Sequence, residues 1–144
     1  MIEFVSEDVK VPDFDSELFV LWLESVVNDE LYELGVITII TCSDDYLLEV
    51  NKKYLDHDYY TDIITFDYTE DNCISGDLFI SIDRVGENAE VAGVSFLDEF
   101  KRVCVHGVLH LCGYKDKTKD EVIEMRSKEN YYLDKFVSRG TKVD

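Results

Sequence analysis

The sequence VHGVLHLCGYKD at residues 105–116 decides how this chain is interpreted. It contains two of the three histidines of the protein, His106 and His110, spaced four residues apart. On a helix, this spacing places both imidazoles on one face, one turn apart. Two nitrogen donors in that arrangement can bind one metal ion. The stretch therefore predicts a helix that carries two ligands of a metal site.

The residues after the second histidine offer a third ligand. Gly113 can adopt a left-handed conformation and end the helix, so that the chain turns back. Asp116 follows His110 by six residues and would then present its carboxylate to the same point. Two histidines and one carboxylate form a frequent catalytic metal set, because coordination positions remain open for water.

The spacing also has a plainer interpretation, because the helix is apolar nearly all round. Such a helix is expected to be buried, and buried histidines need polar partners. Backbone carbonyls satisfy them as well as a metal does, so the spacing alone leaves both possibilities open. Cys112 lies two residues after His110 and points to a different face, so we predict that it belongs to the core. The apolar flanking residues are Cys104, Val105, Val108, Leu109, Leu111 and Cys112.

Size and composition predict one domain over residues 1–144. The four cysteines are scattered, which is typical of reduced thiols in a cytoplasmic protein. Neither a membrane span nor a secretory signal is predicted. The formal net charge of −18, from 32 acids and 14 bases, repels phosphate backbones at long range. A nucleic-acid role must therefore depend on a local site or on an assembly that supplies positive charge, unless the acidity only solubilises the surface.

The hydrophobic pattern predicts an α+β fold with the element order βαβαββααα. We expect a small mixed four-stranded sheet packed with about five helices, with the metal site on a central helix. The third and fourth strands are expected to form a hairpin. The predicted strands are residues 2–5, 36–42, 62–68 and 74–82.

Several helix ends are also predicted from capping residues. Ser16 is expected to cap the first helix and Gly35 to end it. Asp83 is expected to cap the helix that follows the hairpin. Thr118 and Glu121 fit a capping box at the start of the last helix.

Three blocks of sequence resemble the YbeY family, the metal-dependent ribosomal RNA maturation factors. The family signature, His-Gly-x-Leu-His-Leu-x-Gly-Tyr-Asp-His, overlies residues 106–116. All three blocks occur in the family's order and at similar spacing, which is far more specific than a lone histidine pair. The matching residues are His106, Gly107, Leu109, His110, Leu111, Gly113 and Tyr114 in the first block, Asn51, Tyr54, Asp58, Thr61, Asp62 and Phe66 in the second, and Gly76, Asp77, Ile80 and Ser81 in the third.

The resemblance implies a zinc-dependent single-strand endoribonuclease with one Zn²⁺ per chain. It implies action in maturation of the small-subunit rRNA 3′ end and in ribosome quality control. The implied metal ligands are His106, His110 and Asp116. The implied partners are ribosomal RNA and the ribosome or its proteins, with a GTPase as a further candidate, and the implied location is the cytoplasm.

The chain departs from the family pattern at three positions. The third ligand is a histidine in the family and Asp116 here, which makes the site more negative and shifts it slightly towards harder metals. The family's loop arginine, which acts on the RNA phosphate, is replaced by Leu55, and a nearby lysine by His57. A protonated His57 can partly replace that cation, or it can be an ordinary exposed histidine. Lys115 is another candidate cation, or a solvated side chain.

Candidate catalytic residues are His57, Asp62 and Asp77. The two aspartates are candidate general bases, because the His-Gly-Val-Leu-His pair lacks the glutamate of His-Glu-x-x-His metalloproteases. Capping and turn roles near strand ends are the alternative for both.

Two other functions remain open on the sequence. One is a non-catalytic ribosome assembly factor with a structural metal, which docks on ribosomal proteins or a GTPase through its acidic surface. The lost arginine and the charge of −18 favour it more than they would for a typical family member. The other is a metal hydrolase of a non-nucleic substrate.

Overall fold

The computed structural model describes the backbone of residues 1–143 and the side chains of residues 1–136. Within that part, the chain forms four strands and five helices in the predicted order. No helix among these residues is long and apolar enough to cross a membrane. The elements are β1 (Ile2–Ser6), α1 (Ser16–Asp29), β2 (Glu33–Cys42), α2 (Asp44–Leu55), β3 (Ile63–Asp67), β4 (Cys73–Ser81), α3 (Ile82–Ala92), α4 (Phe96–Leu111) and α5 (Lys119–Val143).

The sheet is mixed and four-stranded, with the strand order β1-β2-β4-β3. β1 and β4 both pair in parallel with β2, and β3 pairs with β4 as the antiparallel hairpin that the sequence predicts. β2 is therefore covered on both edges, and its second half is almost entirely buried. This explains the β-branched run in β2, since a strand buried on both faces needs no polar alternation.

The larger core lies between the sheet and helices α1, α4 and α5. α4 lies close against the sheet at Gly107, where a Cβ atom would lie 2.8 Å from the side chains of both Ile63 and Leu78. A larger residue would push the helix off the sheet. Gly107 thus sets how deeply the helix that carries both histidines sits beside the hairpin.

A smaller core covers the other face of the sheet, where α2 packs. Side chains alternate between the two faces along β4. Leu78 points to α4, as does the Gly76 position beside Leu111. Asp77 and Phe79 therefore point to the face that α2 covers, and Phe79 packs against the smaller core.

Two predictions about the first helix are wrong. The N-cap is Asp15, whose Oδ1 accepts from the Leu18 N–H at 3.1 Å, and Ser16 is the first helical residue. Asp15 and Ser16 are both residue types that cap helices, and Asp15 is the one with the extended backbone that an N-cap needs. The helix ends at Asp29 rather than at Gly35, which lies within β2. A side chain at Gly35 would collide with Ser75 of β4, so the glycine serves strand pairing.

The predicted cap of α3 is also wrong, whereas that of α5 is confirmed. Ser81 caps α3 by accepting from the Arg84 N–H at 3.1 Å, because β4 runs into the helix without a loop. Asp83 lies in the first turn, and its carboxylate accepts from the Asp44 N–H instead. At α5, the Thr118 and Glu121 side chains accept from each other's backbone N–H groups at 3.1 and 2.9 Å.

Candidate metal centre

The two histidines lie in the last two turns of α4, and each ring is oriented through its Nδ1 atom. His110 Nδ1 donates to the Tyr114 carbonyl at 2.9 Å. His106 Nδ1 donates to Glu129 Oε2 at 2.7 Å. A carbonyl and an ionised carboxylate can only accept, so each Nδ1 carries the hydrogen. When neutral, each ring therefore has its lone pair on Nε2, which is the form that binds a metal.

The turn after α4 brings the predicted third ligand to the histidines. Gly113 has a φ of +100°, its N–H donates to the His110 carbonyl, and the Tyr114 N–H donates to the Leu109 carbonyl. These bonds end the helix and reverse the chain. The structure thereby brings together the donor atoms of His106, His110 and Asp116, which all lie within 4.8 Å of one another. Cys112 is buried outside this group, as expected.

The distances from Asp116 to the two histidines fit a shared metal ion. Asp116 Oδ2 lies 3.3 Å from His106 Nε2 and 3.4 Å from His110 Nε2. Two ligands that are each about 2.1 Å from a tetrahedral ion lie about 3.4 Å apart. Without a cation or added protons, lone pairs would face each other across these distances. The donor set of two imidazoles and one carboxylate thus suits zinc chemically, and its side chains remain 21–39% exposed.

Glu129 of α5 supports the first histidine from a buried position. Its side chain is only 6% exposed, and its Oε1 accepts from Arg102 at 2.9 Å while Oε2 holds His106. Burial acts to raise the pKa of Glu129, but the hydrogen bonds from His106 and Arg102 lower it overall. Burial acts to lower the pKa of His106. The hydrogen bond to Glu129 and the negative charge of the nearby carboxylates outweigh that effect and raise the pKa overall. Glu129 is therefore stabilised as a carboxylate, and its hydrogen bond fixes the orientation of the His106 ring.

Sequence reasoning missed Glu129, although a signal was present. Met125, Tyr132 and Phe136 recur at helical spacing on the buried face of α5, and Glu129 falls on the same stripe. A carboxylate inside an apolar stripe needs a buried partner, because an unpaired buried charge is costly. The partner, His106, lies 23 residues away in the sequence.

A second network holds the turn that carries the Tyr114 carbonyl. The Tyr114 hydroxyl donates to Glu30 at the end of α1 at 2.7 Å, and Tyr132 also donates to Glu30. Lys128 forms an ion pair with the same carboxylate at 3.4 Å. Burial acts to raise the pKa of Glu30, but the two tyrosine hydrogen bonds and Lys128 lower it overall. Thus α1 and α5 together fix the turn between His110 and Asp116.

His106, His110 and Asp116, which we call the metal group, line a cleft of about 570 Å³ between α4 and the segment of residues 55–62. Of the candidate catalytic residues, His57 and Asp62 line this cleft. Burial raises the pKa of the Asp62 carboxyl. His57 is exposed, and its Nδ1 lies 3.0 Å from the Tyr59 hydroxyl. Lys117, rather than the Lys115 singled out from the sequence, lines the cleft.

The structure does not bring Asp77 to the metal group. Its side chain points to the opposite face of the sheet, and its carboxylate accepts from the Tyr68 hydroxyl at 3.2 Å. Asp77 thus has a structural contact inside β4, which is neither the catalytic role nor the capping or turn role considered from the sequence. Leu55, at the position of the family's loop arginine, does line the cleft and brings no positive charge to it.

Comparisons with known proteins agree on one family. The family model described as Endoribonuclease YbeY matches residues 1–137. A protein of that name from Bacteroides thetaiotaomicron is 47% identical over 132 residues, covering 92% of this chain and 96% of the relative. One from Flavobacterium psychrophilum is 50% identical over 118 residues, covering 82% of this chain and 84% of the relative.

A solved structure is similar in fold. The solution structure of TM1509 from Thermotoga maritima superposes with a TM-score of 0.71 at 27% identity. The match covers 99% of this chain and 93% of the other. The four-stranded mixed sheet and its helices are thus shared with a protein of distant sequence.

Proposed function

The chain belongs to the YbeY family, and from that premise we propose that it is a metal-dependent endoribonuclease that cleaves single-stranded RNA during ribosomal RNA maturation. The observation that carries the proposal is the convergence of three lone pairs, from His106, His110 and Asp116, at the side of an open cleft. Relatives named Endoribonuclease YbeY, of nearly the same length, support the class of reaction.

We propose zinc, one ion per chain, as the metal. Two imidazoles and a carboxylate are a typical zinc donor set, and the carboxylate here lies 3.3 and 3.4 Å from the two ring nitrogens. A carboxylate on the far nitrogen of His106 is a typical supporting contact. When bound, the ion would supply Lewis acidity towards a phosphate oxygen and would acidify a water. The charge of Asp116 reduces that acidity somewhat compared with a third histidine.

In this proposal, side chains of the cleft bind the RNA and transfer the proton during cleavage. Asp62 is the proposed general acid or base, because its pKa is raised by burial and it shares the cleft with the metal group. Lys117 and a protonated His57 are the proposed contacts to the RNA phosphate. Leu55 offers no contact to that charge, so we expect slower cleavage than in relatives that keep the arginine.

The proposed substrate is the 3′ end of small-subunit rRNA in the cytoplasm, with the ribosome or its proteins, and a GTPase, as candidate partners. A chain with a net charge of −18 gains little from long-range attraction to RNA. A basic ribosomal partner would bring the substrate to the cleft. The same charge and Leu55 support the second candidate, an assembly factor whose metal is structural.

The test compares wild type, His110→Ala and Asp62→Asn on single-stranded and fully paired RNA, with and without added zinc. We expect single-stranded RNA to be cut only by metal-loaded wild type, with no cutting by His110→Ala. Asp62→Asn should lower the rate by about 100-fold to 10,000-fold, the usual contribution of a general acid or base. Ribosome co-sedimentation that survives His110→Ala, with no cleavage by loaded wild type, would instead establish the assembly factor.

A further inference from the structure

Two aromatic rings stand together in the wall of the cleft that contains the metal group. The rings of His57 and Tyr59 stack with their centroids 5.1 Å apart and their planes at 20°. The Tyr59 hydroxyl also lies 3.0 Å from His57 Nδ1. Both residues line the cleft with His106 and His110, and Tyr59 is 55% exposed. A large aromatic ring thus remains open to solvent beside the proposed site of cleavage.

One buried residue holds this pair in place through its side chain and its backbone. Asn51 is 1% exposed, and its Nδ2 donates to the Tyr59 carbonyl at 2.9 Å. The backbone carbonyl of Asn51 accepts a hydrogen bond from the His57 N–H at 3.1 Å. The same residue therefore anchors the backbone on both sides of the stack. A platform whose backbone is fixed before binding loses less conformational entropy when a ligand arrives.

The other aromatic residues of this segment already have partners. Tyr54 packs edge-on against Phe66. Tyr60 lies under the Arg84 guanidinium and donates to Asp45 at 3.2 Å. Neither Tyr54 nor Tyr60 lines the cleft. All three tyrosines are 50–60% exposed, so the stacked pair is distinguished from Tyr54 and Tyr60 by its position in the cleft and not by exposure.

The charge of the chain makes a non-electrostatic contact to RNA valuable. At a net charge of −18, phosphate contacts alone give weak binding. Base stacking on an aromatic side chain does not depend on phosphate attraction and accepts any base. We propose that Tyr59, supported by His57, is a stacking platform for an unpaired base of the RNA next to the cleaved bond. This inference rests on the proposed function and names what that site recognises, which is an unstacked base that paired RNA does not offer.

Fluorescence provides the direct test, because Trp22 is the only tryptophan and is 1% exposed. Tyr59→Trp places a second, exposed tryptophan on the platform. A short 2′-O-methyl oligouridine, and the same oligomer with abasic residues, serve as probes. We expect the intact oligomer to quench the new tryptophan and the abasic oligomer to leave it unchanged. No quenching at saturating oligomer, judged by anisotropy of a labelled probe, would overturn the proposal.

A second measurement separates stacking from a general loss of structure. Tyr59→Ala should weaken binding of the intact oligomer by about 5-fold to 100-fold, the range for loss of one stacking aromatic. It should leave binding of the abasic oligomer unchanged. Tyr131→Ala, which removes a tyrosine of similar exposure on α5, is the matched control and should bind both like wild type. Equal weakening of both oligomers by Tyr59→Ala would also contradict the platform.

The outcomes distinguish this proposal from the function on which it rests. Wild type that cuts single-stranded RNA, with no difference between the oligomers in Tyr59→Ala, would refute the platform and leave the nuclease standing. Wild type that cuts no RNA, but binds the intact oligomer through Tyr59, would refute the nuclease and keep the platform.

Discussion

The two walls of the cleft are built in different ways. The metal wall is tied to three helices: α4 carries the histidines, α5 supplies Glu129, and Glu30 at the end of α1 holds the turn that precedes Asp116. The loop wall, residues 55–62, is mostly exposed, and Asn51 anchors it. In the metal wall, Asp116 occupies the position where the family signature has a histidine, and the backbone turn fixes that position. In the loop wall, Leu55 occupies the position where the family signature has an arginine, and it brings no positive charge to the cleft.

The largest effect should come from removing the buried acid behind the metal wall. Glu129→Ala leaves Arg102 and His106 without their shared partner, so we expect a loss of about 3–5 kcal/mol of unfolding free energy. Metal affinity should fall by about 10-fold to 100-fold. Urea titration and competition with a zinc chelator measure the two effects.

Glu87→Ala is the matched control for this variant. Glu87 pairs with Arg84 at the same 2.9 Å, but its side chain is 65% exposed. An exposed pair contributes about 0–1 kcal/mol. If Glu129→Ala were no more harmful than Glu87→Ala, the metal wall would not be held as we describe.

The next effect should come from restoring the cation on the loop wall. Leu55→Arg places a guanidinium in the cleft, where one charged hydrogen bond to phosphate is worth about 1.5–3 kcal/mol. We expect RNA cleavage to rise by about 10-fold to 100-fold with metal content unchanged, as measured by single-turnover kinetics. Leu31→Arg adds the same charge at a residue that is 83% exposed and not part of the cleft. An equal gain in both variants would show only a general effect of charge.

The smallest effect compares two helix caps. Thr118→Ala and Ser95→Ala each remove a side-chain acceptor from a helix N-terminus, so each should cost about 1 kcal/mol of stability. Thr118 also follows Asp116 by two residues, whereas Ser95 begins α4 far from the histidines. Only Thr118→Ala should therefore weaken zinc binding measurably. Equal zinc affinity in the two variants would mean that the capping box does not help to position Asp116.

The parts of the site that the sequence predicted correctly depend on local geometry. Helical spacing orients His106 and His110, Gly113 reverses the chain, and Thr118 with Glu121 caps the next helix. Hydrophobic periodicity likewise predicted the order of the elements. These features need only neighbouring residues, so a single chain is enough to infer them.

The missed or misplaced parts depend on contacts between distant segments. Glu129 and Glu30 reach the site from 23 and 84 residues away. Asp77 was a reasonable candidate until the pairing of β4 placed it on the face opposite α4. The caps at Ser16 and Asp83 failed because neighbouring residues were equally able to cap, and tertiary contacts selected Asp15 and Ser81.

Metal content is the most direct test of the three-ligand centre. Mass spectrometry of protein purified without an affinity tag would compare wild type, Asp116→Ala and Asp116→His. We predict stoichiometric zinc in wild type and in Asp116→His, and zinc that is lost or weakened in Asp116→Ala. Freshly purified wild type without a transition metal, or Asp116→Ala that binds zinc as tightly as wild type, would contradict a centre formed by His106, His110 and Asp116.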